Sequence, residues 1–511
     1  MALVELKDIE FNYSDKDLYK KVSFKVNSGE HCVLVGSNGC GKTTLLNLMV
    51  GDLKPDEGEV IWERGVTHSY LDQQLKVAQD MPVHQYLYGV YEDLFEKERT
   101  LNKLYEQSAI DLDNYEKILA KAERIQNELI DKGFYALQEK VGKLTDGLGF
   151  LKESLDSPLA TLSSGQREKA YLAKMLLEEK DFLIMDEPTN FLDVTQVDWL
   201  ARYLISYPKA FLVVSHDQEF LKRIADVVFC LENQTVVRYK GTFEHYLEQH
   251  QLDMEQYQKN YNAQQRYIKK EEEFIAKHIV RATSSKAAKS RRARLAHLDV
   301  MEAPGKNVIK VHFNFPYTHP VGQKPLIVED LEIGYKGKAL LDPISFILKE
   351  GEKIAILGQN GVGKTTFLRT ILGAIPKING EFDWLDGINI NYFNQDEKID
   401  LSLSPFDYIH NQYPELTNTE VRTALGCTGV RKELAMRPMR ELSGGEVTKA
   451  RFALMSLKKS NFLIFDEPTN HLDQSAKDSL FDAIERYPGC VIIVSHEKDF
   501  YDGLVDYEMH F

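Results

Sequence analysis

The hydrophobic pattern is most regular in the middle of the chain, between Gly241 and Pro304, where neither glycine nor proline occurs. In the first half of this stretch an apolar residue recurs every seven positions: Leu247, Met254, Tyr261, Ile268 and Ile275. A seven-residue apolar repeat is typical of a helix that packs along a partner helix. We therefore predict two antiparallel helices of about 25–30 residues each, which at roughly 1.5 Å per residue would reach on the order of 40 Å.

The charge of this stretch changes after the apolar seam. Between residues 277 and 294 there are seven basic side chains and no acidic one: Lys277, Arg281, Lys286, Lys289, Arg291, Arg292 and Arg294. Because the formal net charge of the chain is -15, this basic tip (277–294) is a local exception. Charge runs usually form only a solvated face, but the position of this one, around the predicted turn at 283–285, favours contact with nucleic acid.

On either side of the hairpin the sequence repeats itself. An apolar strand followed by residues 36–43 matches a second strand followed by residues 358–365, an offset of 322 positions. Further along, residues 162–166 match residues 442–446 at an offset of 280. The first copy therefore contains 322 − 280 = 42 extra residues, and the glycine- and proline-free stretch 90–132 has almost this length.

A repeat of this length predicts duplicated α/β domains rather than a solenoid. We predict a first domain at 1–243 with a helical arm inserted at about 90–132, an interdomain hairpin at 244–322, and a second domain at 323–511. The arm contains 11 acidic and 7 basic residues, so its contacts would differ from those of the basic tip.

The composition restricts the class of protein. A chain of 511 residues with 43% hydrophobic content is long enough for two or more packed domains. No apolar run approaches the roughly 18–20 residues that cross a bilayer, and the N-terminus lacks a signal-peptide pattern. The five cysteines are scattered without Cys-x-x-Cys spacing, which disfavours disulfides, zinc and iron–sulfur clusters. We therefore expect a cytoplasmic protein.

Each repeat contains the pattern G-x-x-x-x-G-K-[ST] after an apolar strand, which is the phosphate-binding P-loop. Its glycines let backbone N–H groups turn toward phosphates, and the following helix adds its positive end. Lys42 and Lys364 would reach the β- and γ-phosphates, while Thr43 and Thr365 would ligate Mg²⁺. The residues assigned to nucleotide binding in these loops are Gly36, Ser37, Asn38, Gly39, Cys40, Gly41, Lys42, Thr43, Thr44, Gly358, Gln359, Asn360, Gly361, Val362, Gly363, Lys364, Thr365 and Thr366.

Each repeat also has a pair of acidic residues where an apolar strand ends. Asp186 and Asp466 would stand at the carboxyl edge of the sheet beside the P-loop, where a Mg²⁺ ligand is expected. Glu187 and Glu467 follow immediately, and a carboxylate there polarises or deprotonates the water that attacks the γ-phosphate. Both pairs lie in Asp-Glu-Pro-Thr-Asn, so two chance pairs of solvated acids are the weaker interpretation.

Glutamine and histidine recur at matching positions as well. We predict that Gln73 and Gln395 bridge Mg²⁺ and the attacking water. His216 and His496 each follow a β-branched strand and a serine, a position from which a histidine would contact the γ-phosphate.

A tyrosine precedes each P-loop by 23 residues, at Tyr13 and at Tyr335. We predict that these rings stack on the nucleotide base, although a tyrosine near a strand commonly serves packing alone.

The order of these motifs resembles that of the ATP-binding cassette (ABC) ATPases. Leu-Ser-Ser-Gly-Gln at 162–166 and Leu-Ser-Gly-Gly-Glu at 442–446 look like the signature motif of that family. The resemblance implies two cassettes that face each other head to tail around two ATP molecules, each P-loop meeting the signature of the other cassette. The signature residues that it assigns to nucleotide contact are Ser163, Gly165, Gln166, Ser443, Gly445 and Glu446.

Two cassettes on one chain, Asp-Glu-Pro-Thr-Asn-His-Leu-Asp at 466–473 and a basic hairpin resemble the ABC-F subfamily of ribosome-associated translation factors, some of which confer antibiotic resistance. This implies a monomeric ATPase whose hairpin enters the ribosomal E site toward the P-site tRNA and the peptidyl-transferase centre. Its arm would approach the L1 stalk. The first cassette departs from the pattern at Phe191, where the subfamily usually has histidine.

Two other functions stay open. The ATPase subunit of a transporter would need a separate membrane protein and gives no reason for the basic hairpin. A DNA-repair ATPase of the cassette class usually has zinc-binding cysteines or very long coiled coils. The sequence does not separate a housekeeping translation factor from one that displaces antibiotics.

Overall fold

Two α/β domains of the same architecture lie on either side of a helical hairpin in the computed structural model of the protein. The structure describes residues 1–13, 16–37, 39–71, 80–110, 114–150, 152–278, 285–298, 300–301, 311–320, 322–335, 337–358, 361–394, 399–470, 472–495 and 497–511.

The first domain is built on two sheets. Its strands are β1 (Ala2–Tyr13), β2 (Lys16–Asn27), β3 (His31–Val35), β4 (Glu57–Trp62), β5 (His68–Leu71), β6 (Phe182–Asp186), β7 (Ala210–Val214), β8 (Val227–Glu232) and β9 (Thr235–Lys240). The larger sheet has the order β5-β6-β7-β3-β8-β9 and is parallel except for β9, while β2-β1-β4 form an antiparallel sheet.

Helices cover both faces of the larger sheet. The helices of this domain are α1 (Lys42–Val50), α2 (Val83–Tyr88), α3 (Glu92–Ile110), α4 (Tyr115–Asp131), α5 (Leu137–Gly147), α6 (Lys152–Leu155), α7 (Ser164–Leu177), α8 (Val194–Ile205) and α9 (Gln218–Ile224), with 3-10 turns at Gly89–Tyr91, Phe134–Ala136 and Leu159–Thr161.

Strand β6 illustrates why these strands are almost continuously apolar. Phe182 and Ile184 belong to the core cluster that contains α1, whereas Leu183 and Met185 belong to the cluster on the opposite face, with α7 and α8. Because a parallel strand covered on both faces has no solvent side, every position is apolar until Asp186 at its carboxyl end.

The inserted arm consists of α3 and α4, which pack against each other through a small apolar core of their own. Its buried members are Leu94, Leu101, Leu104, Ala122 and Leu129, joined by Leu137 from the start of α5. Lys97 and Glu128 form an ion pair between the two helices, and the Tyr105 hydroxyl donates a 2.8 Å hydrogen bond to Gln126 Oε1. The predicted turn near 109–114 includes residues 111–113, which lie outside the described part.

The hairpin is formed by α10 (Phe243–His278) and α11 (Ser285–Ala296). The base of α10 is anchored in the first domain, where Phe243 and Tyr246 are buried in the core cluster. Farther out, Arg291 of α11 forms a 2.9 Å ion pair with Glu271 of α10, and its guanidinium lies 3.9 Å from the centre of the Phe274 ring.

The prediction of two helices of similar length was wrong. Helix α10 has 36 residues and α11 has 12, because the Ala/Ser/Arg sequence of α11 offers few apolar side chains to bury against α10. The regular seam is therefore covered only in part: Leu247 and Met254 remain 38% and 37% exposed, respectively. The outer seam residues Tyr261, Ile268 and Ile275 are half-buried.

The second domain repeats the first. Its strands are β10 (Leu326–Glu332), β11 (Gly334–Tyr335), β12 (Lys338–Ala339), β13 (Ile344–Leu348), β14 (Lys353–Leu357), β15 (Asn379–Trp384), β16 (Ile390–Phe393), β17 (Phe462–Asp466), β18 (Cys490–Val494) and β19 (Tyr507–His510). Its helices are α12 (Lys364–Ile371), α13 (Pro405–Gln412), α14 (Asn418–Cys427), α15 (Gly444–Met455), α16 (Gln474–Glu485) and α17 (Lys498–Tyr501), with 3-10 turns at Lys432–Ala435 and Met439–Glu441.

The parallel sheet of the second domain has the order β16-β17-β18-β14-β19, the same as β5-β6-β7-β3-β8 of the first. The chain enters this domain from the hairpin through Val311, Phe313 and Phe315, which are buried in its core. The predicted fold class is thus confirmed: two P-loop α/β domains joined by a helical hairpin, with a helical arm in the first.

Replacing Arg291 with alanine is expected to loosen the outer part of the hairpin. Glu271 is buried, and the substitution leaves its carboxylate without the guanidinium, at a cost of about 1–3 kcal/mol. Hydrogen exchange of residues 265–278 should become faster in Arg291→Ala. The exposed neighbour Arg292, changed to alanine, is the control; equal exchange in both variants would contradict the prediction.

Candidate functional site

The first P-loop joins the carboxyl end of β3 to the start of α1. The Lys42 Nζ donates hydrogen bonds to the carbonyl oxygens of Gly36 at 2.8 Å and Ser37 at 3.3 Å, which holds the ammonium group inside the loop. Gly41 has a φ of 107°, and a Cβ at this position would lie 2.6 Å from the Tyr19 hydroxyl. Only glycine fits there, as expected for a loop whose backbone turns toward phosphates.

The second P-loop repeats this geometry between β14 and α12. Lys364 Nζ donates a 2.6 Å hydrogen bond to the Gly358 carbonyl oxygen, and Gly363 has a φ of 124°. Val362 and Gly361 face the cleft between the two domains. Residues 38, 359 and 360, predicted to bind phosphate, lie outside the described part of the chain.

The threonine and aspartate predicted to hold Mg²⁺ meet in both domains. The Thr43 hydroxyl donates a 2.6 Å hydrogen bond to Asp186 Oδ2, and the Thr365 hydroxyl donates a 2.9 Å hydrogen bond to Asp466 Oδ2. Oxygen ligands from a hydroxyl and a carboxylate, together with phosphate oxygens, are what Mg²⁺ prefers. The residues present therefore fit a Mg²⁺-nucleotide at each P-loop.

The two glutamates that follow these aspartates adopt an uncommon backbone conformation. Glu187 and Glu467 have φ values of 51° and 48°, respectively. Their backbone N–H groups donate hydrogen bonds to the neighbouring strands, to Val214 O at 2.8 Å and Val494 O at 2.9 Å. The two repeats thus share the same uncommon backbone turn at the residue that follows the aspartate.

The charge state of Glu187 depends on its surroundings. Burial, followed by the negative charge of Asp186, raises the pKa of its carboxyl to about 8, against the opposing effects of Lys42, the His216 N–H and Lys477. The His216 Nε2 lies 3.3 Å from Glu187 Oε1, and its backbone N–H donates a 3.2 Å hydrogen bond to Oε2. Histidine and glutamate therefore act as one unit in this domain.

Replacing Glu187 with glutamine is expected to stabilise the nucleotide- and metal-free protein increasingly as the pH rises. Between pH 4.5 and about 8 the folded protein keeps a proton that the unfolded chain has lost, so the free energy of unfolding of the wild type falls with pH. Glutamine does not titrate. The melting temperatures of the two proteins, measured in chelator, should diverge across this window.

The control for this measurement is Glu219→Gln, because Glu219 is an exposed acid that lines the same cleft. Its melting temperature should follow that of the wild type at each pH. A difference between Glu187→Gln and the wild type that does not vary with pH would contradict the assigned pKa.

The signature motifs begin helices α7 and α15. Ser163 caps α7 by accepting a 3.2 Å hydrogen bond from the Gln166 N–H, and Ser443 caps α15 by accepting a 3.4 Å bond from the Glu446 N–H. Both helices thus start with a capping box, which by itself explains the serine and the residue three positions later. Whether these signature residues also line a nucleotide site depends on where they lie relative to the opposite domain.

A cleft of about 2010 Å³ separates the two domains, which is larger than an ordinary small-molecule pocket. On one side it is lined by the first signature, with Ser163, Gly165 and Gln166, and on the other by the second P-loop, with Gly361 and Val362. At the other contact between the two domains, a Cβ at Gly39 of the first P-loop would lie 3.9 Å from Glu446 Oε1 of the second signature. Each P-loop therefore faces the signature of the other domain.

Phe191 lines this cleft in place of the histidine of the second repeat. It packs partly against the core of the first domain, and a Cβ at Gly165 would lie 3.7 Å from the Phe191 Cβ. Phe191 thus lies beside Gly165 of the first signature. The matching residue 471 lies outside the described part.

For several predicted site residues, the structure does not describe the side chain. Gln73, Gln395 and His496 lie outside the described part. Tyr13 ends β1, and its side chain is not described. Tyr335 is 51% exposed, and its hydroxyl lies 3.3 Å from the Thr366 hydroxyl, so its ring borders the second P-loop.

Lys477 is a cleft residue that the motif analysis did not find. It belongs to α16 of the second domain, lies 2.6 Å from Glu497 Oε2, and acts electrostatically on Glu187 of the first domain. At the equivalent position of the first repeat, 280 residues earlier, stands Val197. This difference between the two repeats is the feature of the sequence that could have pointed to Lys477.

The basic tip is described only in part. Lys277 lies on α10 and is exposed, as are Arg292 and Arg294 on α11. Arg291 is engaged with Glu271 and Phe274, so it stabilises the hairpin itself. Arg281 and the side chains of Lys286 and Lys289 lie outside the described part.

Comparison with known proteins identifies the family. Residues 19–190 and 341–470 match the sequence model of the family described as "ABC transporter", and residues 229–315 match a second model with the same description. None of the helices in the described ranges has the length and apolarity that crossing a membrane requires.

The chain is 35% identical over 502 residues to the uncharacterized ABC transporter ATP-binding protein YfmM of Bacillus subtilis, which covers 98% of this chain and 96% of the relative. It is 30% identical over 513 residues to ABC transporter F family member 2 of Arabidopsis thaliana, with 98% and 75% covered. A solved structure titled as a model of ribosome-bound archaeal Pelota and ABCE1 has the same fold, with a TM-score of 0.61, 20% identity, and 99% and 76% covered. The chain therefore belongs to the F subfamily of the ATP-binding cassette ATPases, and it hydrolyses ATP.

Proposed function

We propose that this protein is a cytoplasmic, monomeric, ATP-gated ribosome-binding factor whose hairpin enters the ribosomal E site and contacts the P-site tRNA or nearby rRNA. The observation that carries the proposal is the hairpin. Helix α10 is 36 residues long and would span about 54 Å at 1.5 Å per residue, and it ends in the basic tip of an otherwise acidic protein. The transporter alternative gives no reason for such a projection.

The exposed cations of the tip are the groups that would meet nucleic acid. Lys277, Arg292 and Arg294 are exposed, and basic side chains neutralise backbone phosphates with a strongly salt-dependent affinity. Arg281, Lys286 and Lys289 are part of the same proposal by sequence. The acidic arm (α3 and α4) would make a different contact, for which we propose the region of the L1 stalk.

Nucleotide binding is proposed to use both halves of the chain at each site. Mg²⁺-ATP supplies the γ-phosphoryl group, and the metal neutralises its charge during transfer. The P-loop lysine and N–H groups would hold the phosphates, and Thr43 with Asp186, or Thr365 with Asp466, would hold the metal. Ser163 and Gly165, or Ser443 and Gly445, would complete each site from the opposite domain, as would Gln166 and Glu446.

Hydrolysis would depend on the glutamate beside each aspartate. The positive φ of Glu187 and its contact with His216 support the proposal that its carboxylate would accept the proton of an attacking water. Glu467 has the same backbone geometry. Gln73, Gln395 and His496 are proposed as their partners in positioning that water, and Tyr13 and Tyr335 as supports for the base.

Gating follows from sites that are shared between the domains. Because each P-loop faces the signature of the other domain, bound ATP would draw the domains together, and hydrolysis would release them. The hairpin leaves one domain and enters the other, so closure would change its orientation. We propose that the ATP-bound state is the one that binds the ribosome, where the tip would modulate translation or displace a ribosome-targeting antibiotic.

The test is co-sedimentation of the Glu187→Gln/Glu467→Gln protein with bacterial 70S ribosomes in ATP and in ADP. We expect pelleting with ATP and its loss with ADP. An absence of pelleting in both nucleotides would exclude the ribosome as partner, and copurification with a membrane protein would then favour the transporter alternative.

A further inference from the structure

A cluster of metal-ligating side chains lies at the base of the hairpin, outside the nucleotide sites. The Cys230 Sγ, a carboxylate oxygen of Glu232 and a ring nitrogen of His250 all lie within 4.8 Å of one another. We propose that these three residues bind a divalent metal ion of the Zn²⁺ type, which joins the hairpin to the first cassette.

The local structure explains how these residues meet. Cys230 and Glu232 are two positions apart on β8, so both project from the same face of the sheet, while Leu231 between them packs into the core on the other face. His250 lies near the base of α10, 18 residues after Glu232, and its Nε2 is 3.1 Å from Glu232 Oε2. One strand end and one helix thus supply all three donors.

The burial of the three side chains suits a site that is enclosed but accessible. Cys230 is almost fully buried, whereas the side chains of Glu232 and His250 are 37% and 24% exposed. An ion can therefore enter from the solvent side and reach the thiol. A fourth position remains for water on that side, the arrangement of three protein ligands plus one open site that Zn²⁺ accepts.

Aromatic residues surround the donors and fix their orientation. The Tyr246 hydroxyl donates to Cys230 Sγ at 3.5 Å, and the Tyr246 and His250 rings lie 5.3 Å apart. The Tyr239 ring lies 6.4 Å from the His250 ring. A hydrogen bond to a ligand, such as that from Tyr246 to Cys230, orients a metal ligand.

The donor set determines the class of metal. A thiolate, an imidazole and a carboxylate together favour Zn²⁺ over Mg²⁺ or Ca²⁺, which prefer oxygen ligands alone. Binding requires the Cys230 thiol to release its proton to solvent, because the thiolate is the metal-binding form.

The alternative is that Glu232 and His250 form only a hydrogen-bonded pair beside an inert thiol. The sequence disfavoured zinc, because the cysteines lack Cys-x-x-Cys spacing. The tertiary structure removes that objection, since the ligands come from a strand and a helix that are apart in sequence.

The proposed metal site lies next to the strand that leads into the first P-loop. Cys230 pairs in the sheet with Val35, the last residue of β3 before the first P-loop. An ion bound to Cys230 and His250 would therefore fix α10 to the strand pair that carries this P-loop. A metal ion at this position would join the first cassette to the hairpin whether or not the protein binds the ribosome.

The test is titration of the chelator-treated, full-length protein with Zn²⁺ in competition with a chromogenic chelator, and with Co²⁺ followed by thiolate-to-metal absorption. We expect one ion per chain, a Co²⁺–thiolate band, and a higher melting temperature with Zn²⁺. Cys230→Ser and His250→Gln should each weaken Zn²⁺ binding roughly 10–100-fold or more and abolish the increase in melting temperature.

The matched control is Cys427→Ser, which removes an exposed thiol and should bind as the wild type does. His250 lies on the partly exposed side of the site, so His250→Gln tests the proposal even if Cys230→Ser fails to fold. No stoichiometric ion in the wild type would overturn the inference, as would equal binding by His250→Gln.

Discussion

ATP turnover is expected to fall roughly 10²–10³-fold when Glu187 and Glu467 are both replaced by glutamine, while ATP binding should persist. The amide keeps the shape of the side chain but cannot accept a proton, and the positive-φ turn still holds it in place. Phosphate release at saturating ATP measures the loss, and a fluorescent ATP analogue measures retained binding. The double variant should then accumulate in the closed state.

Glu219→Gln is again the control, since Glu219 lines the same cleft and pairs only with Lys222 among the ion pairs described for it. Its turnover should be within about twofold of the wild type, because an exposed acid contributes little. Single variants divide the effect between the two sites, which differ at Phe191. Normal turnover in the double variant would remove the carboxylates from the proposed mechanism.

Replacing Lys289, Arg292 and Arg294 with glutamate is expected to have the second large effect, on ribosome binding. Three lost phosphate contacts and three new repulsions should weaken ATP-dependent ribosome binding roughly 100-fold or more and flatten its salt dependence. Arg291 is left in place because it holds Glu271, so the hairpin itself is retained. Co-sedimentation over a range of salt concentrations measures both changes.

The same number of reversals on the exposed cassette residues Lys20, Lys25 and Lys54 gives the control for net charge. Ribosome binding should survive there, and ATP binding should be normal in both variants. Equal loss in the two triple variants would mean that bulk charge, not the tip, governs association.

The motifs of the P-loop and of the aspartate strand could be predicted because their chemistry is local. A strand that ends in Asp186 is recognisable from an apolar run followed by a carboxylate, and the sheet order then brings it to Thr43. Duplication strengthened each inference, since the same series occurs twice. The fold class followed from the same regularity.

Other features could not be predicted because they depend on distant contacts. The shortness of α11 reflects how few apolar side chains it has to bury, which the seven-residue seam of α10 does not reveal. Lys477 belongs to no motif, and its importance appears only when it lies across the cleft from Glu187. Cys230 and His250 are distant in sequence, and the packing of α10 on β8 brings them together.

The unequal hairpin has a mechanical consequence. Its long helix is rooted in the core of the first cassette by Phe243 and Tyr246, whereas the returning chain enters the second cassette through an extended segment with Phe313 and Phe315. The root of the long helix is thus fixed to one cassette, and the chain then continues into the other. A tilt of about 10° at the root of a helix of about 54 Å would move its far end by about 9 Å, so the proposed closure around ATP would be amplified into a displacement larger than a nucleotide spacing.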